Sequence, residues 1–155
     1  MAANEKRSIF ADVRDTLGGL FGGKLDEKHE ALVHCMFSLL GAMARADGVV
    51  STEEANFTNT LMDELKLSTR SRQIASGAFT IGCKREFDLD KEMLTLLSQY
   101  RRGSAEVIKV YEALLRLAAA DAMIRPGERR FLEKVTLGLG FEPTELDERL
   151  KRIMH

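Results

Sequence analysis

Two segments of the sequence, residues 26–46 and 105–120, are apolar over most of their helical surface. In the first, only His34, Ser38 and Arg45 form a narrow polar stripe, and the second repeats this design. A helix that is hydrophobic nearly all round belongs in the centre of a bundle. No segment alternates apolar and polar residues as a half-buried strand does. The sequence therefore predicts an all-α fold, a bundle of about seven helices with both apolar helices inside.

Each apolar helix is followed by a short loop and another helix, and the two units are related by a shift of 74 residues. The shift aligns Asp47 with Asp121, Val50 with Ile124, Glu54 with Glu128, Phe57 with Phe131, Leu61 with Val135, Leu65 with Leu139 and Leu67 with Phe141. A repeated helix-loop-helix unit predicts two halves related by a pseudo-twofold axis.

Residues 1–25 are predicted to be an amphipathic helix and a glycine-rich joint, attached to a helical domain over residues 26–155. Their apolar stripe recurs at three- and four-residue steps and consists of Ile9, Phe10, Val13, Leu17 and Phe21. The stripe could dock on the main domain, on a partner or on a membrane surface. Membrane contact is expected only through residues 9–21, a segment too short and too weakly basic to favour it strongly.

The balance of charge argues against nucleic acid as a partner. The 155 residues, about one domain, include 23 basic and 24 acidic side chains, a net charge of −1, so no positive field gathers phosphate. Cys35 and Cys83 have no nearby cysteine, which predicts buried thiols in a reducing compartment. The N-terminal residues show neither a signal-peptide core nor a membrane span. We therefore expect a cytoplasmic protein whose partner is another protein.

No catalytic constellation is present in the sequence. Residues 18–24 match the start of a phosphate-binding loop, but Leu25 stands where a serine or threonine must reach magnesium. The histidines are not spaced as zinc ligands or as partners of a nucleophile; they are His29, His34 and His155. The chain is therefore predicted not to be an enzyme.

The paired acids are the one constellation that suggests a binding site. Asp47 lies at the end of the first apolar helix and Glu54 in the first turn of the next, and the second unit offers Asp121 and Glu128. A loop of this length can turn both carboxylates of a pair to the same side. Hard divalent cations bind several oxygens, so each pair could supply part of a coordination shell. The loop is too short for an EF-hand.

The same acids have a purely structural interpretation. Ser51 and Glu54 have the spacing of a capping box, and acidic residues near a helix N-terminus interact favourably with the helix dipole. Asp47 could bond to backbone N–H groups in the turn. The residues alone leave both the metal-binding and the capping interpretations open.

The sequence resembles the TerB-like (tellurite-resistance) superfamily. Residues 44–50, Ala-Arg-Ala-Asp-Gly-Val-Val, followed by Glu54, resemble its signature, and residues 118–124 with Glu128 match it again. Gly82-Cys83-Lys84 followed by Phe87-Asp88-Leu89 is similar to the linker in DjlA-type proteins, membrane-anchored J-domain co-chaperones with a TerB-like domain. The resemblance covers roughly residues 25–154.

The resemblance implies a pseudo-twofold helical bundle without enzyme activity. It also implies a divalent cation such as calcium or magnesium on Asp47, Glu54, Asp121 and Glu128, and an association with stress or tellurite resistance. Ala122 and Pro126-Gly127 depart from the pattern, so the second acid pair is the weaker candidate. The alternative is an interaction or adaptor domain related to that of DjlA, with the acids acting only as helix caps. The chain shows no J-domain pattern, so no co-chaperone role through a J-domain is expected.

Overall fold

The computed structural model describes residues 11–17, 27–46, 52–121 and 124–154, apart from the side chains of residues 27, 28, 52–55 and 121. Within these ranges the chain forms eight α-helices and no strand, which confirms the predicted all-α class with one helix more than the approximate seven. The helices are α1 (residues 11–17), α2 (Glu27–Ala46), α3 (Thr52–Glu64), α4 (Thr69–Gly82), α5 (Leu89–Gln99), α6 (Ala105–Ala118), α7 (Pro126–Gly138) and α8 (Pro143–Ile153), with a 3-10 helix at Ala119–Asp121.

Short polar side chains and prolines set the helix starts from α4 onward. Ser68, Asp88 and Ser104 each accept a hydrogen bond from the backbone N–H three residues later, and so cap α4, α5 and α6. Pro126 and Pro143 are the first residues of α7 and α8, where the missing N–H costs no intrahelical bond. Local sequence therefore determines where these helices begin.

The two apolar helices form the core, as the sequence predicts. α2 contacts α4, α5, α6 and α7, and so occupies the centre of the bundle. Each fully buried large apolar side chain stabilises the fold by about 1.5–3 kcal/mol. The buried apolar residues of α2 are Leu32, Val33, Cys35, Met36, Phe37, Leu39, Leu40 and Met43, and those of α6 are Val107, Val110, Tyr111, Ala113, Leu114, Leu115, Leu117 and Ala118.

α2 and α4 cross so closely that their backbones touch. A Cβ atom at Gly82 would lie 2.0 Å from the carbonyl oxygen of Ser38, and one at Gly41 would lie 2.3 Å from that of Phe79. Only glycine fits at these two positions. Ser38, expected on a polar stripe, is instead buried in the crossing, where its hydroxyl donates to the carbonyl of Cys35 at 3.1 Å. That bond removes most of the penalty for burying the hydroxyl.

Burial agrees at several, but not all, of the equivalent positions that the 74-residue shift relates. Leu61 and Val135 are both fully buried, and Ile124 packs against the core as expected for its position. Leu67 and Phe141 are also both buried, at 6% and 9% exposure. This agreement is what a repeated unit requires at these positions; the pseudo-twofold axis itself stays a prediction.

Two residues of the apolar stripe predicted for the N-terminal helix dock on the bundle. Val13 and Leu17 of α1 are fully buried in the common core, and the Arg14 guanidinium lies 2.7 Å from a carboxylate oxygen of Glu64 on α3. These two apolar side chains are therefore not available to a membrane or partner. Ile9, Phe10 and Phe21, the other predicted members of the stripe, lie outside the described residues.

A buried polar chain joins α6 to α7. The Thr136 hydroxyl donates to the carbonyl oxygen of Leu132 at 2.6 Å, so its oxygen accepts from the Tyr111 hydroxyl, also at 2.6 Å. The Tyr111 ring stacks on Phe141 with centroids 4.3 Å apart, and the Arg149 guanidinium of α8 lies 5.3 Å from the Phe141 centroid. The three C-terminal helices are thus connected by specific contacts as well as by apolar packing.

Candidate functional site

The backbone positions three of the four predicted acids at the ends of helices. Asp121 ends the 3-10 helix that follows α6, and Glu128 is the third residue of α7, so the two flank one short connection. Glu54 is likewise the third residue of α3. The side chains of Glu54 and Asp121, and all of Asp47, lie outside the described residues. The divalent-cation site on these acids therefore stays a prediction.

Glu128 serves as a cap for its own helix. One carboxylate oxygen accepts a hydrogen bond from the backbone N–H of Arg125 at 3.4 Å, the residue just before Pro126. This is the reciprocal half of a capping box, and a carboxylate at this position also interacts favourably with the helix dipole. This contact is the one expected if Glu128 acts as a helix cap. Among the side chains that the structure describes, no three of the types His, Cys, Asp and Glu converge as metal ligands.

A histidine that the sequence places on a helix surface is instead half-buried and paired. His34 Nδ1 on α2 lies 2.7 Å from Glu92 Oε1 on α5. The hydrogen bond to Glu92 raises the pKa of His34 above its usual 6.5, with burial acting in the opposite direction. No local spacing could reveal this pair, because 58 residues separate its members. Asp90, another carboxylate of α5, would be an equally plausible partner in the sequence.

The two cysteines occupy different environments. Cys35 is fully buried, and its burial raises the pKa of the thiol well above its ordinary value, so it is unreactive. Cys83 is only half-buried, contrary to the expectation of two buried thiols, and its thiol lies 3.6 Å from the carbonyl oxygen of Gly41.

An open cleft lies between α7 and the segment that leads into α5. Its volume is about 580 Å³, and its lining consists of Glu86, Phe87, Asp88, Leu89, Asp90 and Lys134. Phe87, Asp88 and Leu89 also form part of the motif that resembles the DjlA-type linker. The sequence gives no sign of the cleft, since Lys134 comes from α7, far along the chain.

Membrane insertion through a single helix finds no support in the described part of the chain. None of its helices combines the length and the apolar character needed to cross a bilayer.

The chain is similar to several DjlA proteins named as co-chaperones. It is 30% identical to co-chaperone protein DjlA of Vibrio vulnificus over 126 residues, 81% of this chain and 44% of that protein. It is 31% identical to the Photobacterium profundum protein over 140 residues, 86% of this chain and 50% of that protein. The chain thus spans about half the length of the curated relatives it matches. No solved structure matches it.

The family comparison covers both helix-loop-helix units. The model of the family described as tellurite resistance protein TerB matches residues 30–150, from the start of the apolar part of α2 to the last buried leucine of α8. The matched region includes all four predicted acids and the α5–α7 cleft. The chain therefore belongs to the TerB family.

Proposed function

We propose that the chain is a non-enzymatic module that recognises a protein partner, in a role shared with the corresponding part of the DjlA co-chaperones. The observation that carries this proposal is the 30% identity to a co-chaperone over 81% of the chain. The geometry supports it, because the described residues form an open surface cleft and expose large apolar side chains, among them Leu94 and Leu137. A recognition module needs such a surface and no catalytic group.

Replacement of the matched segment in the Vibrio vulnificus relative tests the shared role. The 126 matched residues of that protein would be exchanged for the corresponding residues of this chain, and the chimera compared with a deletion of the same segment. We expect the chimera to retain most of the co-chaperone activity that the deletion loses. A chimera that folds, as judged by circular dichroism, but performs no better than the deletion would disprove the shared role.

The second candidate function is the binding of a divalent cation, such as calcium or magnesium, by the acid pairs. The observation that favours it is the backbone placement of Asp121 and Glu128 on either side of one connection, with Glu54 in the equivalent turn of α3. Carboxylates that face one loop can share a hard cation. We infer an association with tellurite resistance from the family's description alone. We infer a cytoplasmic location from the two free thiols, Cys35 and Cys83.

Titration of the full chain with calcium, magnesium, manganese and zinc, followed by calorimetry and by NMR, tests the cation site. We expect binding of at least one ion that Asp47→Asn weakens at least about tenfold, because removal of one charged ligand costs more than 1.4 kcal/mol. Asp12→Asn, an exposed acid on α1, is the control. Absence of binding by all four ions would leave the acids as helix caps.

A further inference from the structure

Arg116, in the last turn of α6, is a partly buried cation whose Nε has no hydrogen-bond acceptor among the described residues. An arginine at the end of a helix often bonds to the last free carbonyls, but the Nε of Arg116 makes no such bond. The guanidinium group cannot lose its charge, and a buried donor without an acceptor costs free energy. An anion bound at this guanidinium would offset part of that cost.

The carboxylate that would ordinarily pair with Arg116 is occupied by another arginine. Glu112 precedes Arg116 by four residues, the spacing at which opposite charges meet on a helix. Its Oε1 instead accepts a hydrogen bond from Nη1 of Arg149 on α8. The other terminal nitrogen of Arg149 lies 3.5 Å from Glu145. The acidic groups beside this part of α6 are therefore engaged with α8, and Arg116 is available to an external ligand.

The helices α6 and α8 are parallel, so their C-terminal ends lie at the same end of the bundle. Arg129, near the start of α7, contacts Asp147 of α8 at 2.6 Å, while Thr136, near the end of α7, lines a small pocket with Pro143 at the start of α8. α8 is thus antiparallel to α7. α6 is also antiparallel to α7, since a short connection joins them and Tyr111 bonds to Thr136.

A second arginine, Arg152 in the last turn of α8, lies at this same end. It comes one turn after Arg149, as Arg116 comes one turn after Glu112, and these two earlier residues are in contact. The parallel helices therefore bring Arg116 and Arg152 to the same level of the α6–α8 seam. Glu148, four residues before Arg152, is not one of the ion-paired carboxylates of α8 in the described part of the chain. Two neighbouring cations attract an anion more strongly than one.

We propose that Arg116 and Arg152 form a carboxylate-binding site at the C-terminal ends of α6 and α8, which takes an aspartate or glutamate side chain from an acidic segment of a partner protein. The proposal rests on the protein-recognition function above and names the chemistry of the partner. A guanidinium group donates two parallel hydrogen bonds to a carboxylate, a geometry that lysine does not provide. The partial burial of Arg116 strengthens this contact relative to a fully exposed ion pair.

The test uses the full chain, labelled with nitrogen-15, and a short peptide that alternates glutamate with serine. NMR would follow the Nε–H signal of Arg116 and the amide signals of α6 and α8 as the peptide is added. A matched peptide with glutamine in place of glutamate is the control, and inorganic phosphate is a separate arm. We expect saturable shifts with the glutamate peptide, none with the glutamine peptide, and weaker binding of phosphate.

Variants of three arginines separate a specific site from general attraction. Arg116→Lys keeps the charge and most of the apolar stem, and it should weaken peptide binding about tenfold through loss of the two parallel hydrogen bonds. Arg152→Gln should weaken binding less, because Arg152 is exposed. Arg101→Lys, at an exposed arginine in the connection before α6, is the matched control and should leave binding unchanged. Amide dispersion checks that each variant retains its fold.

Equal binding of the glutamine peptide, equal effects of Arg101→Lys and Arg116→Lys, or shifts confined to other helices would overturn the proposal. Phosphate binding as tight as that of the peptide would assign the site to phosphate and would also overturn it. If Arg116→Lys fails to fold, unchanged peptide binding by Arg152→Gln would still count against the site.

The chimera distinguishes this failure from that of the recognition function. An active chimera that tolerates Arg116→Lys retains the function and excludes the site. An inactive chimera, beside a chain that binds the glutamate peptide through Arg116, retains the site and rejects the role shared with the co-chaperones.

Discussion

The side chains of His34 and Glu92 connect the central helix α2 to α5 by a contact of 2.7 Å between Nδ1 and Oε1. Glu92 is only 15% exposed and His34 is 35% exposed, so the pair is partly screened from water on one side. Leu89 and Asp90, at the start of α5, line the open cleft, so this pair connects the central helix to the helix that begins at the cleft.

Raising the pH through the pKa of His34 should weaken the fold. Since the folded-state pKa lies above the usual 6.5, folding favours the protonated ring. The stabilisation is therefore complete below the unfolded pKa and is lost as the pH rises through the higher folded pKa. Solvent screening limits it to roughly 0.5–1 kcal/mol. Urea unfolding across this pH range, in the wild type and in Glu92→Gln, measures the effect.

Asp90→Asn is the matched control for the pH experiment, because Asp90 is an exposed carboxylate on the same helix as Glu92, the residue that contacts His34. Its pH dependence should equal that of the wild type. An equally steep dependence in Glu92→Gln would contradict the role of the pair.

Gly82→Ala should destabilise the protein by about 2–4 kcal/mol, since the new Cβ would lie 2.0 Å from a backbone oxygen that cannot move without shifting α2. Gly77→Ala, in the same helix with open space around it, should stabilise by roughly 0.5–1 kcal/mol. Denaturant midpoints of the two variants give the comparison. Similar changes in both would show that helix propensity, and not the α2–α4 crossing, sets the outcome.

Removal of either hydroxyl in the buried pair should have unequal effects. Tyr111→Phe leaves Thr136 with its bond to Leu132 and should cost about 1 kcal/mol. Thr136→Val leaves the Tyr111 hydroxyl without its acceptor and should cost about 2 kcal/mol. The double variant should cost less than the sum, which a double-mutant cycle in urea measures. Additive costs would argue against the bond.

Leu17→Ala should lower the free energy of unfolding by about 2–4 kcal/mol, because this α1 side chain is fully buried in the common core. Asp12→Ala, exposed on the same helix, should change it by less than about 0.5 kcal/mol. The free energy of unfolding, measured with heat or urea, shows whether α1 is docked on the bundle or behaves as an independent tail. An unchanged stability in Leu17→Ala would show that α1 contributes nothing to the cooperative unit.

The fold was largely predictable because its main signals are local. An apolar surface over nearly the whole of α2 and α6 has no stable location except the core, and Pro126, Pro143 and the capping serines mark helix starts directly. The burial of Ser38 was not predictable. It depends on the hydrogen bond from its hydroxyl to the Cys35 carbonyl and on the close approach of Gly82 on α4.

The candidate sites were less accessible to sequence reasoning. The acids Asp47, Glu54, Asp121 and Glu128 are found by repetition, but whether a carboxylate caps a helix or binds an ion depends on three-dimensional position, shown here only for Glu128. The cleft lined by residues 86–90 and Lys134, like the His34 pair, depends on contacts between distant segments, for which one sequence carries no local pattern.

The buried hydroxyl pair has a consequence for how the chain avoids misassembly. Under the 74-residue shift, Tyr111 and Thr136 correspond to Phe37 and Met62, so one unit has hydroxyls where the other is wholly apolar. If α6 paired with α3 instead of α7, the Tyr111 hydroxyl would meet methionine in place of its acceptor, at a cost of about 1–3 kcal/mol. The hydroxyl pair therefore favours the packing of α6 against α7 over its packing against α3, although the two units are similar.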